Sequence, residues 1–491
     1  MEKECKYKTT IGLEIHAELK TKTKMFCSCK NDTEEKRPNV NICSVCTAQP
    51  GTLPILNKEA IRQVLRVGLA CGSHIADFTE WDRKNYFYPD IPKGYQITQY
   101  KYPLVSEGYL NGVRLTRIHL EEDTAKSSHH EKSTDPVAGD QGDFSLVDFN
   151  RSGVPLMELV TEPVIHTAKD ASDFAKELQL LLQYLGAGDA NMEKGEMRVE
   201  ANISVSDCEG RLGTKVEVKN LNSFRTVERA IAYEVERHIE VLEGGGKIIQ
   251  ETRGWDESKQ KTFSQRIKED SHDYRYFPDP DLPKMNISEV FDLKEIENGL
   301  PELPWQRRDR YIKTLGIKEQ DAESFVGNIE LGNFFERVIS NFFNDICSTG
   351  SSEQKELIKT SSNYISSDLV GIMSKDSIVE FPDSNKFAKI ILMVSEGKLS
   401  SRAAKDLLVR VVKENIDPEE IAQKEGLIQQ NDEESLKVII KKLVLENPKV
   451  VADYRSGKEA SLQFFIGQTI KATKGSANPQ IIKKVLLSVL G

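Results

Sequence analysis

The sequence predicts an α+β protein, with a β-rich, antiparallel N-terminal domain that contains inserted helices and a helical C-terminal half. Three observations predict this class. Several segments before residue 290 alternate polar and apolar side chains with a period of two, which is typical of strands with one buried face. Two long segments in the same region have helical apolar spacing, and amphipathic helical patterns predominate from about residue 300 onward.

The strands of the N-terminal domain place polar side chains on one face of the predicted sheet. In TIGLEIHAEL, Glu14 and His16 point to one face and the intervening apolar residues point to the other. MRVEANISVS repeats the pattern around Glu200, and TKVEVKN repeats it around Lys219. We therefore expect a sheet with one apolar and one polar face.

Two helices interrupt these strands. The first lies in AKDASDFAKELQLLLQYLGAG and stops at glycine, and the second starts at a Ser223 cap and ends in three glycines. The C-terminal half contains patterns such as SRAAKDLLVRVVKENI and EESLKVIIKKLVLEN. We predict domains at residues 1–292, 293–400 and 401–491.

The composition is typical of a soluble globular protein, and the charged N-terminus and the lack of a membrane-length apolar run lead us to expect a cytoplasmic one. Hydrophobic residues make up 38% and charged residues 29% of 491 residues, and the net charge is −10, which argues against a chain coated in positive charge for nucleic acid. A basic surface is expected only in the last 52 residues, with nine Lys or Arg against three Asp or Glu; it suits a polyanion or a solvated helix face. We expect no signal peptide and no membrane span.

Four of the eight cysteines lie in residues 27–46, in the segment CSCKNDTEEKRPNVNICSVC. Cys27 and Cys29 form one pair and Cys43 and Cys46 form a second, with a spacer typical of a small zinc knuckle. Four thiolates would leave no open metal position, so this Zn²⁺ would be structural. Two alternatives remain: the thiols bind no metal, or they carry out redox chemistry.

Acidic and imidazole groups form the first candidate for a reaction centre. Glu14 and His16 share a strand face, and Glu200 lies on a similar one. The segment RIHLEEDTAKSSHH adds His119, Glu121, Glu122 and Asp123 in one short run. If they converge, they suit Mg²⁺ or Ca²⁺ beside phosphate, and close carboxylates can transfer protons. The alternative is the ordinary polar face of an antiparallel sheet.

Two further segments could bind anions. DRKNYFYPDIPKGYQITQY combines Lys84 and Lys93 with five aromatic rings, which suits stacking and phosphate contact or an ordinary aromatic loop anchor. KNLNSF lies just before a helix start, where backbone N–H groups bind anions, although Ser223 could simply cap that helix. P-loop, dinucleotide-binding, serine-hydrolase and zinc-peptidase motifs are absent from the sequence.

The motifs together resemble the B subunit family of the tRNA-dependent amidotransferases, GatB of the GatCAB complex. The resemblance rests on IGLEIHAELKTKTKMFC, DRKNYFYPDIPKGYQITQ, HLEEDTAKS, VDFNRSGVPLMELVTEP, KNLNSFRTVERAI and DYRYFPDPDLP. It resumes in GKEASLQFFIGQTIKATKGSANPQ, which is similar to the YqeY-like tail of that family. The resemblance implies a β-rich cradle domain, a helical domain and a YqeY-like tail that binds tRNA.

The resemblance also implies a reaction. The side-chain carboxylate of Glu on tRNA(Gln), or of Asp on tRNA(Asn), would be phosphorylated with ATP, and ammonia would then displace the phosphate. The ammonia would come from glutamine hydrolysed in a partner A subunit, an amidase, and a small C subunit would brace the pair. The enzyme would be a ligase that forms a carbon–nitrogen bond with glutamine as the amido donor.

The resemblance assigns the roles of the residues. Glu14, His16, Glu122 and Glu200 would form the magnesium and reaction centre, although the family often has Asp in place of Glu200. Glu122 would take a proton from arriving ammonium, and Lys84 and Lys93 would line the ammonia path or the nucleotide pocket. The expected cofactor-binding residues are Lys219, Asn220, Asn222, Ser223, Asn150 and Arg151.

A binding module is the alternative function. In that hypothesis the chain is a zinc-stapled carrier of tRNA, and all chemistry occurs on partner subunits. The basic tail and the cysteines fit it equally well, and it needs no reaction centre at Glu14 and His16. The family also has members that lack the cysteines, which implies a structural rather than a catalytic zinc.

Overall fold

The computed structural model describes residues 6–130, 144–207, 211–267, 273–343, 351–428, 433–455, 458, 460–473, 477 and 479–490. The chain forms two compact units, Met1–Pro304 and Trp305–Gly491. The first contains the sheets and the second is helical where it is described, so the predicted α+β class is confirmed. Glu459 and Lys474 of the predicted basic tail lie outside the described residues.

A ten-stranded sheet organises the first unit. Its strands are β1 (Tyr7–Glu18), β2 (His74–Ile75), β6 (Val105–Ser106), β7 (Tyr109–Leu110), β8 (Val113–Glu122), β11 (Pro155–Thr161), β12 (Met197–Asp207), β13 (Val216–Leu221), β14 (Glu251–Asp256) and β15 (Lys261–Ile267). Their order is β15-β14-β13-β12-β1-β11-β8-β6-β2, and β7 pairs with β8. The long strand β1 therefore lies near the middle.

The period-two pattern of β1 is confirmed by its burial. Ile11, Leu13 and Ile15 are at most 1% exposed. Helices α2 (Ala168–Tyr184) and α3 (Phe224–Glu243) pack against each other and against the central strands, α2 on β1 and α3 on β12. Apolar burial thus fixes the register of the strand, since a slip of one residue would expose these side chains.

The predicted antiparallel pairing holds through the centre of the sheet, but β13 and β14 are parallel. The reason is that α3 connects them: a helix returns the chain to the starting end of the sheet, so the next strand runs in the same direction. The helix begins at the predicted cap, where the Ser223 hydroxyl accepts a hydrogen bond from the Thr226 amide at 3.1 Å. The other predicted helix is α2, which Thr167 caps.

Smaller sheets and helices complete the first unit. A three-stranded sheet has the order β16-β4-β5, and β9 pairs with β10 and β3 with β17. The strands are β3 (Phe78–Thr79), β4 (Asp82–Asn85), β5 (Tyr95–Thr98), β9 (Lys126–His130), β10 (Phe144–Asp148), β16 (Phe277–Pro278) and β17 (Met285–Asn286). The helices are α1 (Lys58–Ala70), α4 (Ile287–Val290) and α5 (Leu293–Asn298).

The second unit consists of short helices, and α6 starts at the boundary. They are α6 (Pro304–Asp309), α7 (Glu319–Gly327), α8 (Ile329–Ser340), α9 (Ser352–Asn363), α10 (Val370–Lys375), α11 (Ser384–Ser395), α12 (Ser401–Glu414), α13 (Pro418–Lys424), α14 (Glu433–Glu446), α15 (Pro448–Arg455), α16 (Ala460–Ala472) and α17 (Pro479–Leu490). Residues Arg310–Thr314 and Tyr364–Leu369 are π-helical. The predicted amphipathic helices at α12 and α14 are confirmed, and α14, α16 and α17 share one apolar core.

Candidate active site and cysteine cluster

The strand register brings polar side chains from neighbouring strands onto one face of the sheet. Glu14 lies opposite Glu200 on β12, and His16 lies opposite Glu158 on β11. Glu158 in turn lies opposite His119 on β8. Residues directly opposite each other in a sheet point to the same face, so the four strands build one acidic and imidazole-rich surface.

We name this surface the carboxylate centre, and Glu158 lies in its middle. Its Oε2 atom lies 3.4 Å from His16 Nε2 and 3.3 Å from His119 Nε2. Glu121 approaches the same rings, with its oxygen atoms 3.9 Å from His16 Nε2 and 3.5 Å from His119 Nε2. Two carboxylates and two imidazoles therefore form one contact network.

Three overlapping groups of side chains on this face of the sheet are close enough to hold a cation. Within each group, one potential ligand atom per residue lies within 4.8 Å of the others. The groups are Glu14 with His16 and Glu158, His119 with Glu121 and Glu158, and Glu14 with Glu200 and Glu217. Because Glu14 and Glu158 each belong to two groups, the oxygen atoms could serve one or two hard divalent cations.

The electrostatics of the carboxylate centre are strongly perturbed. Burial, together with the charges of Glu158 and Glu200, raises the pKa of Glu14 to about 7. Burial would lower the pKa of His119, but the nearby carboxylates of Glu158 and Glu121 outweigh it and raise the pKa to about 9. At neutral pH Glu14 therefore holds a proton part of the time and His119 carries an imidazolium charge, and a bound divalent cation would replace both.

A cavity of about 540 Å³ opens onto the carboxylate centre. The lining residues are Glu14, Lys84, Thr98, Gln99, Tyr100, Arg117, His119, Glu121, Glu158, Glu217, Lys219, Thr252, Gln265, Tyr274 and Tyr276. Tyr100 and Tyr276 stack with ring centroids 4.0 Å apart, and the Lys84 ammonium lies 5.1 Å from the centroid of the Tyr274 ring. The cavity thus combines carboxylates, cations and aromatic surface.

Lys219 connects this cavity to the segment KNLNSF. Its Nζ atom lies 2.8 Å from Glu200 Oε2, and the Thr252 hydroxyl donates to Glu217 Oε2 at 2.7 Å. Asn220, Asn222 and Ser223 do not line the cavity in the described structure. Their predicted cofactor contact stays a prediction, and the capping role of Ser223 is confirmed.

The structure separates Glu122 from the carboxylate centre. Successive strand residues point to opposite faces, so Glu121 faces His16 and His119 while Glu122 turns away. Glu122 forms an ion pair with Lys93 and accepts a hydrogen bond from the Ile97 amide at 3.0 Å. Of the expected magnesium residues, Glu14, His16 and Glu200 converge, and Glu121 takes the position that the prediction gave to Glu122.

Glu158 was not singled out from the sequence, whereas His119 and Glu121 were candidates in the acidic run that received no individual role. His119 and Glu121 are spaced by two, so their common face was readable once the strand was assigned. The sequence signal for Glu158 was its position as the one carboxylate in the apolar strand segment PLMELVT, since a buried acid needs a partner. The sequence pattern did not predict that this strand pairs with β1 and β8.

Asn150 and Arg151 lie elsewhere in the same unit and do not line the cavity. Asn150 Oδ1 accepts hydrogen bonds from the amides of Val40 and Asn41, at 2.8 and 2.9 Å. Arg151 donates to the carbonyl of Thr124 at 3.0 Å. In the structure these two residues brace loops, and their predicted contact with the cofactor has no support from position.

The four clustered cysteines come together as the spacing predicts. Their sulfur atoms lie within 4.8 Å of one another, with 4.0 Å between Cys29 and Cys46 and 3.9 Å between Cys43 and Cys46. Tetrahedral zinc, with bonds of about 2.3 Å, would require separations of about 3.8 Å. The Cys43 amide also donates to Cys46 Sγ at 3.1 Å. The four residues are free cysteines and fit a metal ion.

The thiols of this cysteine cluster compete for negative charge. A hydrogen bond with Cys27 lowers the pKa of Cys46 to about 5, while burial and the contact with Cys43 raise that of Cys29 to about 12. The hydrogen bond with Cys46 and burial raise the pKa of Cys27 as well. A cation would remove this competition by stabilising all four thiolates.

Comparison with known families decides the identity. A family model described as the GatB/GatE catalytic domain matches residues 9–292, more than half of the chain. The chain belongs to the GatB family. A second model, described as a GatB domain, matches residues 341–490. The resemblance seen in the motifs is therefore confirmed, and so is the enzyme class, since this is a family of amidotransferase B subunits.

Curated relatives agree along the whole chain. The B subunit of the aspartyl/glutamyl-tRNA(Asn/Gln) amidotransferase of Thermotoga maritima is 42% identical over 99% of both chains. The corresponding B subunits of Caldicellulosiruptor saccharolyticus and Persephonella marina are 42% and 40% identical, over 98% and 99% of both chains. Among the described residues, no helix is both long and apolar enough to cross a membrane.

Proposed function

We propose that this chain activates the side-chain carboxylate of misacylated tRNA with ATP and then forms the amide with ammonia. The substrates are Glu-tRNA(Gln), Asp-tRNA(Asn) or both. The observation that carries the proposal is the cavity in which Glu14, Glu158 and His119 meet Lys84. Family membership and the amidotransferase function of relatives identical at 42% along the whole chain support the same reaction.

The reaction requires activation because a free carboxylate is a poor electrophile. Its departing oxygen would leave as oxide or hydroxide, whereas phosphorylation gives a mixed anhydride with phosphate as leaving group. Ammonia then attacks the carbonyl carbon, the C–N bond forms and inorganic phosphate leaves. Lys84 lines the cavity and could stabilise the phosphate charge that develops, while the carboxylate centre accepts protons.

Magnesium is the proposed cation of the carboxylate centre. Carboxylate oxygens dominate the three groups, and Mg²⁺ prefers hard oxygen ligands. Glu14, Glu200 and Glu217 would hold it on one side, and His16 with Glu158 on the other. When bound, the cation would reduce the repulsion between the phosphates of ATP and the substrate carboxylate. Tyr100 and Tyr276 offer a stacked aromatic wall to a base.

Glu122 and Lys93 are assigned to the delivery of ammonia. Their ion pair is nearly buried, and Glu122 could take a proton from ammonium before NH₃ reaches the activated carboxyl group. The ammonia would come from glutamine hydrolysed in an A subunit, with a C subunit completing a cytoplasmic heterotrimer. The relatives are themselves B subunits of an amidotransferase, which supports such a complex.

The cysteine cluster and the C-terminal region have supporting roles in this proposal. The cluster binds a structural Zn²⁺ and fastens residues 27–46 to the first unit. The helices of residues 401–491 form a YqeY-like tail that grips tRNA, and residues 293–400 form the domain before it. The match of residues 341–490 to a GatB domain supports a specialised C-terminal region.

Titration of Mg²⁺ and ATP by calorimetry tests the proposal. The full-length chain, purified with its A and C partners, should bind ATP in the presence of Mg²⁺, and Glu14→Gln should weaken this binding. Absence of ATP binding to the wild-type complex would favour the zinc-stapled tRNA scaffold, with the chemistry on partner subunits. Lys22→Gln, an exposed change in the same unit, serves as the control.

A further inference from the structure

Lys24 is a buried charge without a carboxylate partner in the described part of the chain. Its side chain is fully buried, at 0% exposure. The ammonium donates to the carbonyl of Phe149 at 3.1 Å, and no described carboxylate lies within 4.0 Å of it. An ammonium removed from water costs several kcal/mol unless an opposite charge compensates it. The structure therefore needs an anion near Lys24.

Two sources of such a charge lie beside it, the cysteine cluster and Glu122, and Glu122 is already paired with Lys93. The backbone amide of Lys24 donates to the Cys29 carbonyl at 3.0 Å. Lys24, Cys46 and Glu122 all flank Gly153, because a Cβ atom placed on that glycine would lie 3.7 Å from Lys24 Cδ, 3.8 Å from Cys46 Cβ and 3.9 Å from Glu122 Oε2. Ser152, the residue before Gly153, also contacts the cluster, since its hydroxyl donates to the Cys46 carbonyl at 3.2 Å.

The charges of the two features are complementary. Four thiolates and one divalent cation have a net charge of −2, and a partly buried anion of this size needs compensation as much as Lys24 does. We propose that Lys24 is the counter-charge of the metal-bound cysteine cluster and thereby increases its affinity for metal. This inference rests on the proposed metal at the cluster. Lys24 acts on the sulfur ligands and does not itself touch the metal.

A purely structural role for Lys24 predicts a different result. In that case the four methylene groups fill space, the Phe149 carbonyl satisfies the ammonium, and an apolar side chain of similar length should serve equally well. Replacement of buried charges by well-packed apolar residues is often neutral or stabilising. Metal affinity distinguishes the two roles, because only a counter-charge affects the thiolates.

The test compares Lys24→Met with Lys22→Met in the full-length chain. Lys22 is exposed and only two residues away, so its replacement removes the same formal charge without the buried contact. Zinc affinity is measured by competition with a chromophoric chelator, and Co²⁺ titration of the metal-free protein reports thiolate coordination by its absorption bands. We expect Lys24→Met to bind both metals about 10- to 100-fold more weakly, and Lys22→Met to match the wild type.

Each outcome decides one proposal. Equal affinity of Lys24→Met and wild type overturns the role of Lys24 and leaves the metal site standing. A wild-type protein that binds neither zinc nor cobalt through thiolates overturns the metal site itself, and the inference with it. If Lys24→Met does not fold, Lys24→Gln decides instead: it keeps a donor for the Phe149 carbonyl but removes the charge, so a tenfold loss of affinity supports the proposal and an affinity within threefold of wild type contradicts it.

Discussion

The cysteine cluster and the carboxylate centre are both close-packed groups of side chains that could hold a metal ion, and both lie in the first unit, but they are built in different ways. All four sulfur atoms come from residues 27–46. The acidic and imidazole groups of the carboxylate centre come from strands that lie far apart in the chain and meet only through the register of the sheet. Local spacing therefore predicts the first site, whereas the second depends on strand pairing.

Their charge properties differ as well. The cysteine cluster presents four soft sulfur ligands with no position left for a substrate, which suits a structural metal. The carboxylate centre presents mostly oxygen atoms and opens into a cavity of about 540 Å³. We therefore expect substitutions at the carboxylate centre to affect chemistry, and substitutions in the cysteine cluster to affect stability.

The largest effect is expected from Glu158→Gln. Glu158 contacts both imidazoles through one oxygen atom, so loss of its charge should lower the rate of amide formation by about 10²- to 10⁴-fold, the usual contribution of a positioned acid–base or charge-stabilising group. The rate is measured on misacylated tRNA with the reconstituted complex. Glu162→Gln, just beyond the same strand, is the matched control and should stay within a fewfold of wild type.

The neighbouring residues Glu121 and Glu122 sharpen the comparison within the candidate active site. Glu121→Gln should suppress the ATP-dependent activation, measured as ADP released with misacylated tRNA, because Glu121 contacts His16 and His119. Glu122→Gln should retain that activation and lose most amide formation, because its carboxylate pairs with Lys93 on the other face.

Glutamine hydrolysis should persist in both variants, which serves as the control for an intact amidase partner. Equal loss of ADP release in the two variants would contradict the separation of the two faces. Normal amide formation by Glu122→Gln would refute its assignment to the ammonia.

The smallest effect on chemistry is expected in the cysteine cluster. Cys46→Ser should lower the free energy of unfolding by roughly 2–4 kcal/mol, as expected for loss of a structural metal. Thermal unfolding measures this loss, and the activity of the folded fraction should stay near that of the wild type. Cys71→Ala, a buried cysteine outside the cluster, is the control. A Cys46→Ser protein that unfolds like the wild type would contradict a stabilising metal at the cysteine cluster.

The sequence predicted the parts of this protein that depend on local patterns. The alternation around Glu14 and His16 predicted β1 and its polar face, Ser223 predicted the start of α3, and the cysteine spacing predicted the cluster. The parallel pairing of β13 and β14 was not predicted, because a two-residue periodicity does not indicate whether neighbouring strands run parallel or antiparallel.

The same limit explains the site. Glu121 and Glu122 are adjacent carboxylates, and only the face of β8 that turns toward His16 distinguishes them. Glu158 is isolated in its sequence segment and becomes central only because β11 lies between β1 and β8. Long-range pairing is decided by the packing of the whole sheet, which a single stretch of sequence does not report.

Amide formation with ammonium chloride as nitrogen source tests the central claim most directly, since it bypasses glutamine hydrolysis by the partner. The wild-type complex should convert misacylated tRNA to the amide only with ATP, with one ADP released per amide formed. Glu14→Gln should lose both ADP release and amide together. Amide formation without ATP, or undiminished ADP release and amidation by Glu14→Gln, would contradict the assignment of activation to the carboxylate centre of this chain.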